Sequence, residues 1–564
     1  MATTQPVGHR IPVPPDFPVE WDDPSQEHLF WTRERMHYPE PVKPVIESLD
    51  PEAGLNFAAA TYDLPIRYHA RVINTYRYTA VSPVTMDPEE LAAIGERAME
   101  NVRHVLARFG EVWETEMLPE IKEHLAYWDS FDLRGATTPE LLVHFDETVR
   151  RFRRLWDIHF MVGLPMLLSM SLFDDFYRDL FGNQSAFDAF RLLQGFDNKT
   201  LETDRALWQL SRKALALPAV QRILQEQAAA DVVPALEQSP ECADFLAELR
   251  AYLDEYGQRC ATSGGNVFDP AEPSWIENPA PVIKNLKDYI TQPDRDLEAE
   301  MAKQAAERER ALAETRERLR GYPQPVVGQF EALLKAAQDG VVLSENHDFW
   351  IDFRGSYRIR RVLVELGRRL AGAGAVDSPD DVFYLKFDEI REALAALPGT
   401  DRRELVARRK AEMAHFRTIT PPPALGTMPP GPPPDDAAGR TLIKFFGGPP
   451  QPPTGPGVLR GSPGSPGTVS GTAKIVRSLA EAAKLEPGDI MIAETTAPPW
   501  TPLFATVAAV VTETGGILSH CAVVAREYGI PAVVGAAMAT TMIEDGQTVE
   551  VDGDSGTVRV ITAA

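Results

Sequence analysis

Apolar side chains recur at helical spacing through the middle of the chain. After Thr138-Pro-Glu140, the residues Leu141, Leu142, Phe145, Val149 and Phe152 fall on one face of a helix. Asp87 before Pro88-Glu-Glu90 predicts another helix start, with an aspartate cap and a proline in the first turn. Residues 293–320, dense in Glu, Lys, Arg and Ala, predict a long helix whose charge run is a wet face. From about Pro88 to Ala411 the pattern stays mainly helical. Within it, Phe160–Phe173 is an apolar run with three methionines, shorter than a bilayer span. It reads as core helix, with the lining of an adaptable apolar pocket as the second reading.

The pattern changes twice. Residues 1–50, rich in proline and in rings (Phe17, Trp21, Phe30, Trp31, Tyr38), read as an extended arm held through its aromatics, with Trp21, Trp31 and His37-Tyr-Pro39 placed to cap such a pocket. Between Thr420 and Pro466 proline and glycine crowd the sequence, which predicts a semi-rigid tether interrupted by one short strand, Thr441–Phe446. Beyond it the spacing becomes that of strands: Val469–Val476, Ile490–Ala493, Ala508–Thr512, Ala532–Val534, Thr548–Val551 and Thr557–Ile561, separated by turns such as Pro487-Gly-Asp489 and Asp552-Gly-Asp554. One helix, Ser519–Tyr528, is expected among them, stopped by Gly529 and Pro531. The expected division is an arm with the start of the helical body at 1–87, the body at 88–418, a linker at 419–460 and a β/α unit at 461–564.

Composition narrows the function classes. A net charge of -25 over 564 residues argues against nucleic acid or an anionic membrane as partner. Cys242, Cys260 and Cys521 are too scattered for a disulfide framework or a zinc site, so a reducing cytoplasm is expected. The first residues lack the apolar core of a signal peptide.

The chemistry concentrates at Thr514-Gly-Gly-Ile-Leu-Ser-His520. A buried strand feeds a glycine pair, and a helix begins next to a histidine. Glycines let backbone N–H groups approach a bulky anion, and a helix N-terminus adds donors and a positive dipole end. Imidazole can accept a phosphoryl group and lose it again. A phosphate on His520 would then sit among Thr514, Gly515, Gly516, Ser519 and backbone amides. Cys521, next in line, reads as a small apolar filler.

Thr514-Gly-Gly-x-x-Ser-His-x-Ala-x-x-Ala-Arg-Glu-x-Gly-Ile-Pro-Ala-Val-x-Gly535 resembles the phosphohistidine motif of the phosphoenolpyruvate-utilising enzymes, a group that includes rifampin phosphotransferase. Upstream Gly464-Ser-Pro-Gly-x-Val-Ser-Gly471, Pro487-Gly-Asp-Ile490 and Thr501-Pro-Leu-Phe504, and downstream Asp545-Gly546 and Val551-Asp-Gly553, extend the resemblance over about residues 460–562. It implies a swivelling β/β/α domain whose histidine is charged at one place and discharged at another. Such relatives charge the histidine from ATP, with magnesium, on an ATP-grasp domain. A P-loop is absent from the sequence and the first four hundred residues are helical in pattern, so the ATP-grasp unit is expected on a separate subunit. The chain then resembles the substrate-plus-histidine subunit of the split phenylphosphate and alkylphenol phosphate synthases.

In the body, Trp156-x-x-His159, Leu192-Leu-Gln-Gly195, Tyr256-Gly-x-Arg-Cys260 with Trp275 and Pro279, and Asp380–Leu385 with Glu389 resemble segments of these substrate domains. Where relatives carry an acidic turn, this chain reads Ser263-Gly-Gly-Asn-Val-Phe-Asp269, which leaves Asp269 as the acid and Arg259 as the nearby cation. Arg354, Arg358 and Arg361 share one helix face, flanked by Tyr357 and Arg360, and would dock a phosphohistidine or form a salt-bridged surface. Asp348 and Asp352, four apart, would deprotonate a hydroxyl, hold magnesium or pair with those arginines. Metal ligands are not assigned. The expected whole is a multidomain protein, a large mostly α-helical substrate-binding domain followed by the phosphohistidine domain. Its expected product is the phosphate ester of a small phenolic or alcoholic acceptor. The alternatives are an antibiotic-type phosphotransferase and a phosphorelay carrier without a small-molecule product.

Overall fold

The computed structural model describes the chain except residues 1–7, 51, 183–184, 260–268, 432–434, 450, 453–454, 456, 480, 497 and 562–564. The part of the expected acidic turn from Ser263 to Phe268, and Cys260, lie outside the described residues. The chain divides into two compact units, residues 1–164 with 266–271 and 350–434, and residues 165–265 with 272–349 and 435–564. The helices used below are α1 (Pro88–Val112), α2 (Thr138–Phe181), α3 (Lys199–Ala216), α4 (Ala280–Ile290), α5 (Leu297–Leu319), α6 (Gln324–His347), α7 (Arg354–Gly372), α8 (Ala437–Phe446) and α9 (His520–Tyr528).

The first unit holds a five-stranded sheet that the aromatic arm helps to build. In order across the sheet, β1 (His9–Arg10), β5 (Ala424–Met428), β2 (Phe30–Arg33), β4 (Tyr76–Pro83) and β3 (Ile66–Ile73) are all antiparallel neighbours. The expected arm is therefore two strands of a sheet. Phe17 and Trp31 are buried with Tyr76, Tyr78, Phe416 and Leu425 in one apolar cluster, where each ring removes a large apolar area from water. Asp87 caps α1 as expected, accepting from the N–H groups of Glu89 and Glu90. In α2 four of the five predicted positions are buried, Leu141, Phe145, Val149 and Phe152 at most 4% exposed, while Leu142 at the edge of the face is half-buried. This helix is long and apolar enough to cross a membrane, with a mean hydropathy of 1.4 over its best 18 residues, and 56% of that window is inside the protein. Val162, Met166, Met170 and Phe173 are core residues, the first of the two readings of that run.

In the second unit, helices α3, α4 and the segment Ala243–Tyr256 enclose a core of Leu207, Leu210, Leu249, Tyr252, Trp275, Leu286 and Tyr289. The C-terminal segment forms an eight-stranded mixed sheet in the order β6 (Val458–Arg460), β13 (Thr557–Val560), β12 (Thr548–Asp552), β8 (Thr468–Ile475), β9 (Ile490–Ala493), β10 (Ala509–Thr512), β11 (Ala532–Val534) and β7 (Ser462–Ser465). Its centre, β8 to β11, is parallel, with Val510 opposite both Met491 and Ala532. Buried on both faces, β9, β10 and β11 are apolar throughout except for Thr512 at the end of β10. Six of the eight strands stand where their alternation and turns place them. β6 and β7 were hidden by the proline and glycine of the tether.

The tether itself carries regular structure. Residues 424–428 are a sheet strand, and the segment expected as the strand Thr441–Phe446 is the C-terminal part of α8. Asp436 accepts from Gly439 N–H and caps this helix, a signal that outweighs the strand preference of Thr441, Ile443 and the two phenylalanines.

A buried charge locks the first unit. The Arg77 guanidinium, 2% exposed, donates to Asp50 at 2.6 Å and Glu52 at 2.5 Å. Burial lifts the Glu52 carboxyl, and Arg77 opposes that lift. Replacing one member of such a pair leaves the other charge stranded. Arg77→Met is expected to cost about 3–5 kcal/mol, read as a lowered urea midpoint of the first unit's transition.

Candidate active site

Strand β10 delivers the chain into the glycine loop. At Gly515 φ is +96°, a left-handed conformation that disfavours a side chain, and a Cβ there would lie 2.8 Å from Ser519 Oγ. The loop was expected to hold its N–H groups open for an anion. Instead three of them are spent on the end of α8. Gly515 N–H donates to Phe446 O at 3.2 Å, Gly516 N–H to Phe445 O at 2.9 Å and Leu518 N–H to Lys444 O at 2.8 Å. The last carbonyls of a helix have no partners within it, so the loop and α8 satisfy each other. Thr514 likewise turns inward, its hydroxyl donating to Glu494 O at 3.1 Å. The donors left for a phosphoryl group belong to the first turn of α9, whose first N–H groups have no acceptor within the helix. Beside them, Ser519 is 4% exposed, and its hydroxyl has no hydrogen-bond partner among the described residues.

His520 opens α9 with both ring nitrogens engaged. Nε2 lies 3.3 Å from Thr501 Oγ1, and Nδ1 lies 3.5 Å from Glu345 Oε1. Glu345 was not anticipated from the sequence, where it is one acid among 82. It sits near the end of α6 and is 3% exposed, and its other oxygen accepts from Thr200 Oγ1 at 2.7 Å. Asn346 Oδ1 accepts from Lys199 N–H at 2.8 Å and seats the start of α3 beside it. Burial raises the Glu345 carboxyl, but the His520 imidazole, the Thr200 hydroxyl and the Arg259 guanidinium together hold it below the ordinary value.

The far end of α9 is anchored as well. The Tyr528 hydroxyl and the Tyr289 hydroxyl both donate to the buried Asp204, Tyr289 at 2.6 Å. Gly195 N–H donates to Glu527 Oε2 at 2.9 Å. The Arg526 guanidinium, buried inside, donates to Gly464 O at 2.7 Å and Ile517 O at 3.0 Å and lies 4.7 Å over the Phe190 ring. Lys444 on α8 pairs with Asp174 at 2.8 Å and Asp175 at 2.7 Å. A cleft of about 570 Å³ opens at this end of α9, lined by Phe196, Arg205, Met301, Gln304, Arg308 and Glu527. Cys521 is buried and its thiol is pushed up to about 12, as an apolar filler should be.

The other candidates each have partners of their own. Arg259 is 1% exposed, donates to Thr203 Oγ1 at 2.9 Å and lies 5.3 Å over the Trp275 ring. In the first unit, Asp269 pairs with Lys43 at 2.6 Å. Arg358 donates to Asp129 at 2.7 Å and Arg361 approaches the same carboxylate at 3.7 Å. Arg354 stacks 4.7 Å over Trp350, and Tyr357 lies under Arg361. The arginine face thus has the salt-bridged form, organised by Asp129. Asp352 pairs with His159 Nδ1 at 2.9 Å in the first unit, and Asp348 with His347 Nε2 at 3.1 Å in the second.

Residues 159–345 match the family described as the rifampicin phosphotransferase fourth domain, and residues 485–556 match the mobile domain of PEP-utilising enzymes. The chain belongs to this PEP-utilising, rifampicin phosphotransferase-like family. It is 41% identical over 564 residues to chondramide synthase cmdD of Chondromyces crocatus, which covers 98% of this chain and 14% of that protein. It is 28% identical over 460 residues to the uncharacterized phosphotransferase YvkC of Bacillus subtilis, covering 79% and 54% of the two chains. With the rifampicin phosphotransferase of Streptomyces sviceus it shares 30% over 440 residues, 76% and 48% of each. The chain thus spans about half the length of the last two and a small part of the first.

Two expectations follow from the seat of α9. A Cβ at Gly516 would lie 2.3 Å from Lys444 O, so Gly516→Ala must lift the loop off α8. It is expected to cost about 1–3 kcal/mol, measured by denaturant unfolding. Glu527 is the pH-sensitive contact, since burial pushes it from 4.5 up to about 7 against the pull of Gly195 N–H and Arg526. The folded protein therefore holds this proton more tightly than the unfolded chain, and stability is lost as pH rises from about 4.5 to about 7. Glu527→Gln cannot ionise. The fall in melting temperature between about pH 5 and about pH 8 is expected to be smaller in Glu527→Gln than in the wild type.

Proposed function

We propose that this chain is the carrier-and-acceptor subunit of a phosphotransferase. His520 receives a phosphoryl group from ATP, bound with magnesium on a separate ATP-grasp subunit, and hands it to the hydroxyl of a small acceptor at the helical part of the second unit. The observation that carries this reading is the position of His520. The imidazole stands at a helix N-terminus, 15% exposed, beside a buried hydroxyl unpartnered among the described residues and against a buried carboxylate from another helix. Transfer between oxygen and nitrogen atoms asks mainly for positioning and charge neutralisation, which helix N–H groups and Ser519 supply.

An aromatic acceptor suits the surroundings of Glu345. One helical turn on, Phe349 lies 6.3 Å from the Tyr256 ring, with the Lys199 ammonium 5.3 Å over Phe349. Rings that pair with one another pair equally with a phenol. The identity with chondramide synthase favours one refinement, an acceptor drawn from a biosynthetic assembly rather than an antibiotic encountered from outside.

The test uses labelled ATP, the purified chain and a candidate ATP-grasp protein, with phenols and alcohols offered as acceptors. Label is expected on the chain only when both proteins are present, and on an organic phosphate when the acceptor is added. His520→Ala is expected to remove both labels, a loss of at least about a thousandfold in transfer rate. Undiminished product from His520→Ala would overturn the proposal. A stable phosphoprotein that yields no organic phosphate with any acceptor would favour a pure phosphorelay.

A further inference from the structure

We infer that Glu345 is the positioning residue that makes phosphorylated His520 discharge when α9 is seated against α6. The inference rests on His520 being the phosphoryl carrier and goes further, since it assigns what releases the group.

The two ring nitrogens face different partners. Nδ1 faces a carboxylate at 3.5 Å, which can hold only a proton there, because a phosphoryl group on Nδ1 would meet a like charge in a buried place. Nε2 faces the Thr501 hydroxyl at 3.3 Å, a group that can donate to a phosphoryl oxygen. The phosphoryl group therefore belongs on Nε2. Thr200 fixes the carboxylate through its second oxygen at 2.7 Å, which leaves Oε1 aimed at the ring. Near-complete burial keeps water from competing for that oxygen.

The leaving group explains why this matters. If Nδ1 carries no proton, the ring must leave phosphorus as an imidazolate anion. With Nδ1 protonated, it leaves as neutral imidazole. In the step, the acceptor oxygen bonds to phosphorus and the P–Nε2 bond breaks, its electron pair staying on Nε2. Nδ1 keeps its proton, and the hydroxyl proton passes to solvent. The carboxylate stabilises the charged ring before transfer, as an aspartate does in a serine protease triad. Glu345 and His520 lie on different elements, 175 residues apart in the chain, so the effect acts only while α9 is seated. Discharge is thereby tied to the seated position.

Phosphoramidate, a small phosphoryl donor, can load His520 without the ATP-binding partner, and water then serves as the acceptor. Phosphohistidine is quantified by 31P NMR as it decays to inorganic phosphate. Glu345→Gln keeps the volume and can still accept from Thr200, but it lacks the charge. Its phosphohistidine is expected to decay at least about tenfold more slowly near neutral pH, with the rate–pH profile moved to lower pH. Thr200→Val, which leaves the charge and loosens its aim, is expected to slow decay in the same direction by a smaller factor. It provides the second reading should Glu345→Gln fail to fold. Equal decay rates and coincident pH profiles for the wild type and these variants, at unchanged melting temperature, would overturn the role of Glu345 while leaving the carrier reading intact. Failure of wild-type His520 to take the phosphoryl group from phosphoramidate or from ATP with the partner would remove the carrier reading and this one with it.

Discussion

A nine-residue helix, held at both ends by buried carboxylates, organises the chemistry of the second unit. At its start His520 meets Glu345, and at its end Tyr528 meets Asp204 while Glu527 receives Gly195 N–H. Carboxylates this deeply buried are tolerable only when donors or cations meet them. A hydrogen bond to a charged group nets about 1.5–3 kcal/mol once lost hydration is counted, so a few such contacts seat α9 specifically. A larger apolar interface would hold α9 more strongly and release it less readily.

The same economy runs through the loop that precedes α9. Its N–H groups satisfy the open carbonyls of α8, and α8 is itself held by Lys444 to Asp174 and Asp175. Arg526 then ties the Gly464 turn, the Ile517 carbonyl and the Phe190 ring together from inside. Burial lowers its guanidinium to about 10, still charged at neutral pH, and carbonyl oxygens and a ring face take the place of water around it. The histidine loop is thus stiffened by main-chain bonds, and its polar capacity is left at Ser519 and the first turn of α9.

Much of this was legible in the sequence. The β/α alternation after residue 468 placed six strands and α9, because turn glycines and apolar runs mark elements by local stereochemistry. His520 stood out because glycine, serine and histidine meet at a strand-to-helix junction. Elsewhere local signals misled. Proline and glycine between 420 and 466 concealed β5, β6, β7 and α8, since strand pairing and a capping aspartate can override breaker content. The arm of rings became β1 and β2 because β5, some four hundred residues away, supplies their partner edge.

By itself the sequence determined the periodic elements, the buried faces of the helices and the histidine loop, all of which depend on neighbours within a few residues. Only the tertiary structure decided which partner each buried acid finds. Asp348 and Asp352, conspicuous by spacing, pair with His347 and His159, whereas Glu345, without any local signal, reaches His520. Asp129 binds Arg358 from 229 residues away, and Asp204 joins two tyrosines from separate helices. The reason is physical. Helical periodicity acts over four residues, but a buried charge is settled by whichever partner folding brings within hydrogen-bond range, at any distance along the chain.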